Sequence, residues 1–266
     1  MTLPEPPETT DPMPLPPELD GVDRELARAV AESGSGKPSR EQLAHVLTLA
    51  GRSARAAGVQ AVASGRWLAD LGLEVAAHVP VRDQTTLKAH FDGLEGPLLA
   101  GALIRNASLT TAAVGGITGA LATASELTPA TWATLPIELL AETLVVVAIE
   151  MKLVGELHEV ADQGVRGTIG QRGTAIATAW SESRGLRPSD LVTRPLRATA
   201  ATLVGRESRS QLTGMLQRKM LKRAGRNLTS FIPMMAGAAA GAELNRRATR
   251  SLGKKVASSL GIRPPR

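Results

Sequence analysis

An all-α fold follows from three features of this 266-residue sequence. Alanine, leucine and other small residues dominate, alternating β-branched runs are scarce, and the aromatics number five, three Trp and two Phe. Strands draw on branched and aromatic side chains, so this composition points to helices. The expectation is a multi-helix bundle with two glycine/alanine-rich central helices.

The elements follow in chain order. Residues 1–20, MTLPEPPETTDPMPLPPELD, hold seven prolines and five acids with no Lys or Arg. That is the composition of a disordered acidic tail. Neither the positive start nor the apolar run of a secretory signal is there, which points to a cytoplasmic protein. Residues 21–262 suffice for one helical domain with its own core. Helices are expected at 22–32, 40–57, 59–79, 84–91, 96–125, 129–160, 170–184, 189–204, 207–226 and 233–260. Asp83 before QTTLKAHF, Pro129 after Thr128 and Ser189 after Pro188 are start signals. GQRG at 170–173 and SRGLRPS at 183–189 read as connections.

The glycine-rich helices are TTAAVGGITGALATASE at 110–126 and IPMMAGAAAGAE at 232–243. Gly115, Gly116 and Gly119 in the first, and Gly237 with Gly241 in the second, form small-xxx-small rows that let helix backbones approach closely. Arg105-Asn106 and Arg226-Asn227 precede them at a separation of 121 residues, and Gly116 then aligns with Gly237. A duplication would give two hairpins related by a pseudo-two-fold axis. Residues 107–125 would measure about 28 Å as a helix, near the roughly 30 Å of a bilayer core. Their strongly apolar residues are Leu109, Val114, Ile117 and Leu121, opposed by four Thr and two Ser. Two readings stand: a tight crossing inside a soluble bundle, or a hairpin that enters a membrane when its partner helix moves.

Charge is unevenly distributed. From Arg184 onward there are 18 Lys and Arg against Asp190, Glu207 and Glu243, a balance of +15, whereas residues 1–183 carry 13 basic and 22 acidic residues. The C-terminal third therefore seeks phosphate or another anion. Within it, LTGMLQRKMLKRAGRNL sets Leu216, Met220, Leu221, Ala224 and Leu228 on one half of a helix and Arg218, Lys219, Lys222, Arg223 and Arg226 on the other. A basic amphipathic helix of this kind suits an anionic membrane surface. Nucleic acid is the weaker partner, because this region holds Phe231 alone where single-strand binders interleave aromatics.

The chemistry-bearing residues are sparse. With no cysteine, disulfides, thiolate zinc sites and thiol nucleophiles are removed together. His45, His78, His90 and His158 are never closer than twelve residues, so no local metal motif arises, and no cofactor is implied. ESGSGKPSR is no phosphate loop: Ala31 stands five before Gly36, and Pro38 replaces the required Ser or Thr. Arg66, Asp70, Glu74 and His78 form an i, i+4 ladder along one helix face. Glu138 and Glu142 lie one turn apart on LPIELLAETLVVVAIEMKLVGELHEV, with Lys152 and Glu156 returning to nearly the same face. A buried Glu142 needs a cation or several donors, for which Arg246 and Arg105 are candidates.

The run GPLLAGALIRNASLTTAAVGGITGALATASELTPATWATLPIELLAETLVVVAIEMKLVGELHEV, followed downstream by RNLTSFIPMMAGAAAGAELNRRATRSLGKKV, resembles the EcsC family of bacterial proteins over residues 80–256. The shared order is a glycine-rich helix, a Leu-Pro-containing helix, and a closing proline, glycine/alanine helix and asparagine, here Asn245. Arg246 follows that asparagine where the family pattern has an aromatic. The resemblance implies bacterial origin and a link to membranes or transport, and it says nothing about catalysis. Together these features lead to a non-enzymatic helical protein at, or partly inserted in, the inner membrane, accessory to a transport or envelope complex. Glu138, Glu142, Asn245 and Arg246 are its candidate functional polar residues. The alternative is a soluble cytoplasmic enzyme or metal-dependent hydrolase using Glu142 or the Asp70, Glu74, His78 ladder.

Overall fold

The computed structural model describes residues 21–58, 60, 62, 66–124, 137–184 and 234–265. Among these residues lie eight helices and no strand: α1 Gly21–Ser33, α2 Arg40–Ala57, α3 Arg66–His78, α4 Gln84–His90, α5 Gly96–Ala124, α6 Ile137–Val160, α7 Ile169–Ser183 and α8 Met234–Ser259. The all-α bundle expected from composition is the fold observed. The tail, the helices expected at 189–204 and 207–226, and the start signals at Pro129 and Ser189 lie outside the described residues.

Local chemistry sets several helix starts. Asp83 accepts a hydrogen bond from Thr86 N at 2.7 Å, as its position before QTTLKAHF predicts. Ser39 and Gln42 form a reciprocal capping box at the head of α2, and Thr168 and Gln171 form another at the head of α7. The second box corrects the expectation that GQRG is a connection: residues 170–173 belong to the first turns of α7. Gly173 is there for packing, because a Cβ at that position would stand 2.7 Å from the Ala77 backbone of α3.

One hydrophobic cluster includes side chains from all eight helices, from Leu26 to Ile262. Its axis is α6, where every residue from Leu139 to Leu157 is buried. A helix buried on all sides belongs at a bundle centre. At the α1 side, Trp67 Nε1 donates to Ser53 Oγ at 2.7 Å and Ser53 Oγ donates to Asp23, which ties α1, α2 and α3 through one buried hydroxyl.

The two glycine-bearing helices, α5 and α8, pack against each other antiparallel: Gly115 faces Gly241, Thr111 faces Asn245, and Ile104 faces Gly253. Their approach is close enough that a Cβ at Gly115 would lie 3.1 Å from the Gly241 carbonyl carbon, and one at Gly253 would lie 2.7 Å from Ile104 Cγ1. The stretch Gly96–Ile117 of α5 is long and apolar enough to cross a membrane by length and composition, and half of it is buried within the bundle. A core helix of a soluble protein has the same properties, so the stretch alone does not choose between the two.

The Gly173 contact is backbone against side chain, which no rotamer change can relieve. Gly173→Ala should therefore destabilise by about 1–3 kcal/mol, the usual range for overpacking. Gly170→Ala, three residues earlier and exposed with open space at its Cβ position, should stay within about 1 kcal/mol of the parent. Thermal or urea unfolding followed by circular dichroism checks the pair; equal stabilities would mean that α3 and α7 do not meet at this glycine.

Candidate functional site

Among the described residues, α8 carries an exposed row of cations, and how α8 is held decides which of its side chains face outward. Its inward arc carries Asn245, Thr249, Leu252, Gly253, Val256 and Ala257, all buried. Two of these are polar and one turn apart, and both bind carboxylates on α6. Asn245 Nδ2 donates to Glu142 Oε1 at 2.7 Å and lies 3.3 Å from the Thr111 carbonyl of α5. Thr249 Oγ1 donates to Glu150 Oε1 at 2.9 Å. A hydrogen bond contributes about 0.5–1.5 kcal/mol net and is direction-dependent, so the pair fixes α8 in rotation as well as position.

Glu150 is fully buried and draws donors from three directions. Besides Thr249, it accepts from Trp180 Nε1 at 3.0 Å and from Arg184 at the end of α7, whose guanidinium contacts both carboxylate oxygens. Lys255 Nζ donates to the Ser183 carbonyl at 2.9 Å, satisfying an orphan acceptor at the same helix end. A third carboxylate, Glu156, is clasped by Arg82 Nε at 2.7 Å and Nη2 at 3.0 Å. Arg82 also stacks over Phe91 at 5.7 Å. Lys152 lies 3.4 Å from Glu156 and donates to the Pro80 carbonyl at 2.9 Å. Burial pushes the Lys152 ammonium below its usual range, and Glu156 opposes that shift.

The outward arc of α8 is of a different kind. Arg247, Arg250 and Lys254, at i, i+3 and i+7, form one exposed row, with Leu244 beside it at 44 % exposure. The acid of α8 is Glu243, and it is held by Arg246 Nε at 2.7 Å and Arg247 Nε at 2.5 Å. Hydrogen bonds from Arg246 and then Arg247 lower its pKa to about 2. On α5, the antiparallel neighbour, Leu98, Arg105 and Leu109 are exposed at i, i+7 and i+11, again one row. Both outward faces thus mix large apolar side chains with cations.

The predicted residues fall as follows. Glu142 is buried, and its Oε1 partner is Asn245; Arg246 turns to Glu243 instead, and Arg105 is exposed. An uncharged amide can bind a buried carboxylate without bringing a second ion out of water. Gly115 and Gly241 meet at the α5–α8 crossing, whereas no described atom lies within 4 Å of a Cβ at Gly116. Gly119, Gly237 and Glu138 are in helical backbone, but their side-chain surroundings lie outside the described residues, as do Arg218, Lys219, Lys222, Arg223 and Arg226 altogether. In the ladder on α3, His78 Nδ1 lies 2.9 Å from the Glu74 carbonyl and 3.6 Å from its carboxylate, both within one helix. Among the described residues no three His, Asp or Glu side chains converge as metal ligands would.

Sequence reasoning passed over Glu150, Thr249, Trp180, Arg184 and the row Arg247, Arg250, Lys254. The i, i+4 pair Asn245 and Thr249, set opposite the cations on a helical wheel, was the available signal. No family model matches this chain, and no curated protein or solved structure is significantly similar to it.

Glu150→Ala leaves the Trp180 and Thr249 donors and the Arg184 cation facing an apolar gap, and should cost about 3–5 kcal/mol. Glu150→Leu with Arg184→Met should recover part of the loss that Glu150→Leu shows alone; urea unfolding of the parent, both single variants and the double measures it, and additive effects would mean the two residues are not coupled. Glu243 supplies a pH test. Its folded pKa is depressed, so its contribution is present above the ordinary carboxyl value of 4.5 and is lost as pH falls toward about 2. A carboxyl-carbon NMR titration should place its midpoint near the lower value in the parent and higher in Arg246→Gln.

Proposed function

We propose that this protein is a non-enzymatic helical bundle that binds anionic membrane surfaces reversibly from the cytoplasmic side, as an EcsC-like accessory to a transport or envelope complex. The observation that carries this reading is the outward face of α8, where Arg247, Arg250 and Lys254 form an exposed row beside Leu244. Acidic headgroups are recognised by clustered point charges at a surface, with apolar side chains reaching the acyl boundary. The α5 row of Leu98, Arg105 and Leu109 has the same mixed character. The predicted basic helix carrying Arg218, Lys219, Lys222, Arg223 and Arg226 belongs to the same positively charged third of the chain and adds to the contact.

The two contributions separate by mutation. Vesicles of phosphatidylcholine with and without phosphatidylglycerol are floated with the parent, with Arg247→Gln/Arg250→Gln/Lys254→Gln, and with Lys219→Gln/Lys222→Gln/Arg223→Gln/Arg226→Gln. The parent should float with the anionic vesicles alone, and each neutralised cation should cost about 1 kcal/mol, roughly fivefold in partition. Salt at 1 M, where the screening length is about 3 Å, should release it. Indifference to lipid charge and to both sets of substitutions rules the reading out. Flotation that persists in high salt would mean that α5 has entered the bilayer.

A further inference from the structure

We propose that the acidic N-terminal segment, residues 1–20, docks on the Arg247, Arg250, Lys254 row of α8 and competes there with other anions. The inference rests on the surface-binding reading above and adds its regulation. The segment carries Glu5, Glu8, Asp11, Glu18 and Asp20 and no Lys or Arg, so its side chains sum to −5. The row is its electrostatic complement: α8 holds Arg246, Arg247, Arg250, Lys254 and Lys255 against Glu243 alone.

Reach does not limit the contact. Twenty extended residues span up to about 66 Å, whereas α5, the longest described helix at 29 residues, measures about 44 Å. Glu5 and Glu8, 16 and 13 residues before Gly21, can therefore reach up to about 53 and 43 Å from it.

A nearer positive site exists and is less suitable. Arg24, Arg28 and His45 line an open groove of about 460 Å³ between α1 and α2, directly after the segment. Glu25 and Glu32 line the same groove and offset its two arginines. On α8 the one acid is already engaged by Arg246 and Arg247, and Arg250 and Lys254 lie further along the exposed row. Among the described residues, charge complementarity therefore favours α8 over the adjacent groove.

Tethering makes even a weak contact effective. A linked segment presents itself at about millimolar effective concentration, so a Kd near 0.1 mM for the row would weaken a competing ligand about tenfold. Anionic lipid would have to displace the segment, and the segment's own acids would be repelled from the same headgroups.

The chain has no cysteine, so a nitroxide on Thr10→Cys is a unique reporter. At low salt the label should broaden the amide resonances of Arg247 to Lys254, and 1 M NaCl should abolish the effect. Broadening confined to α1 and α2, or none on α8, overturns the docking. In parallel, a chain lacking residues 1–20 and the full-length Glu5→Gln/Glu8→Gln/Asp11→Asn/Glu18→Gln/Asp20→Asn variant should each bind phosphatidylglycerol vesicles about tenfold more tightly than the parent. Equal binding by all three overturns the competition. Salt-sensitive broadening on α8 in a chain that binds no vesicle in any form would leave the docking standing and remove the lipid reading, so the two fail separately.

Discussion

The structure depends on the need of a fully enclosed helix to satisfy its own carboxylates. On α6, Glu142, Glu150 and Glu156 are all buried, along a stretch where every residue from Leu139 to Leu157 is buried. A buried carboxylate without donors is too costly to keep charged, so each must recruit them from elsewhere in the chain. The recruits come from three directions: Asn245 and Thr249 from α8, Trp180 and Arg184 from the α7 end, and Arg82 from the α3–α4 connection. Apolar packing would allow a neighbouring helix several rotations about α6. A donor that must meet one oxygen allows far fewer.

Small residues make those hydrogen bonds reachable. Asn245 touches both Glu142 and the Thr111 carbonyl because Gly115 lets α8 come almost backbone to backbone against α5; a side chain there would meet Asn245 Nδ2 at 2.8 Å. Gly253 does the same two turns further on, against Ile104 and Leu153. The glycines and the polar groups thus act as one device, the first setting the distance at which the second can bind. In this arrangement α5, α6 and α8 form a three-helix centre with polar contacts at its heart.

The outward charge of α8 is a consequence of this inward register. Asn245 and Thr249 point to α6, so the opposite arc must carry Arg247, Arg250 and Lys254 to the surface. A helix turned by a third of a revolution would bury one of these cations and expose the amide. The buried chemistry and the candidate interaction surface are therefore two sides of one constraint. Glu243, held by Arg246 and Arg247, trims the positive field only at the near end of the row.

The sequence by itself determined what depends on neighbours within a few turns. Composition and periodicity identified an all-helical chain, the bounds of α2 at 40–57, the Asp83 cap, the close-packing role open to the glycines, and the positive bias of the C-terminal third. The tertiary structure decided what depends on segments far apart in the chain. Glu142 meets Asn245 across 103 residues and Glu150 meets Thr249 across 99, so no local window holds both partners. Arg246 and Arg105 were the expected partners of Glu142 because a charge calls for a countercharge, but Asn245 faces inward on α8 while Arg246 turns to Glu243 and Arg105 is exposed. Glu150 was legible as one more acid on an apolar helix; only its enclosure by Trp180, Arg184 and Thr249 made it a point on which three helices are fixed. The physical reason is that helix formation is a local transition, whereas the choice of donor for a buried charge is made by whichever distant backbone comes close enough.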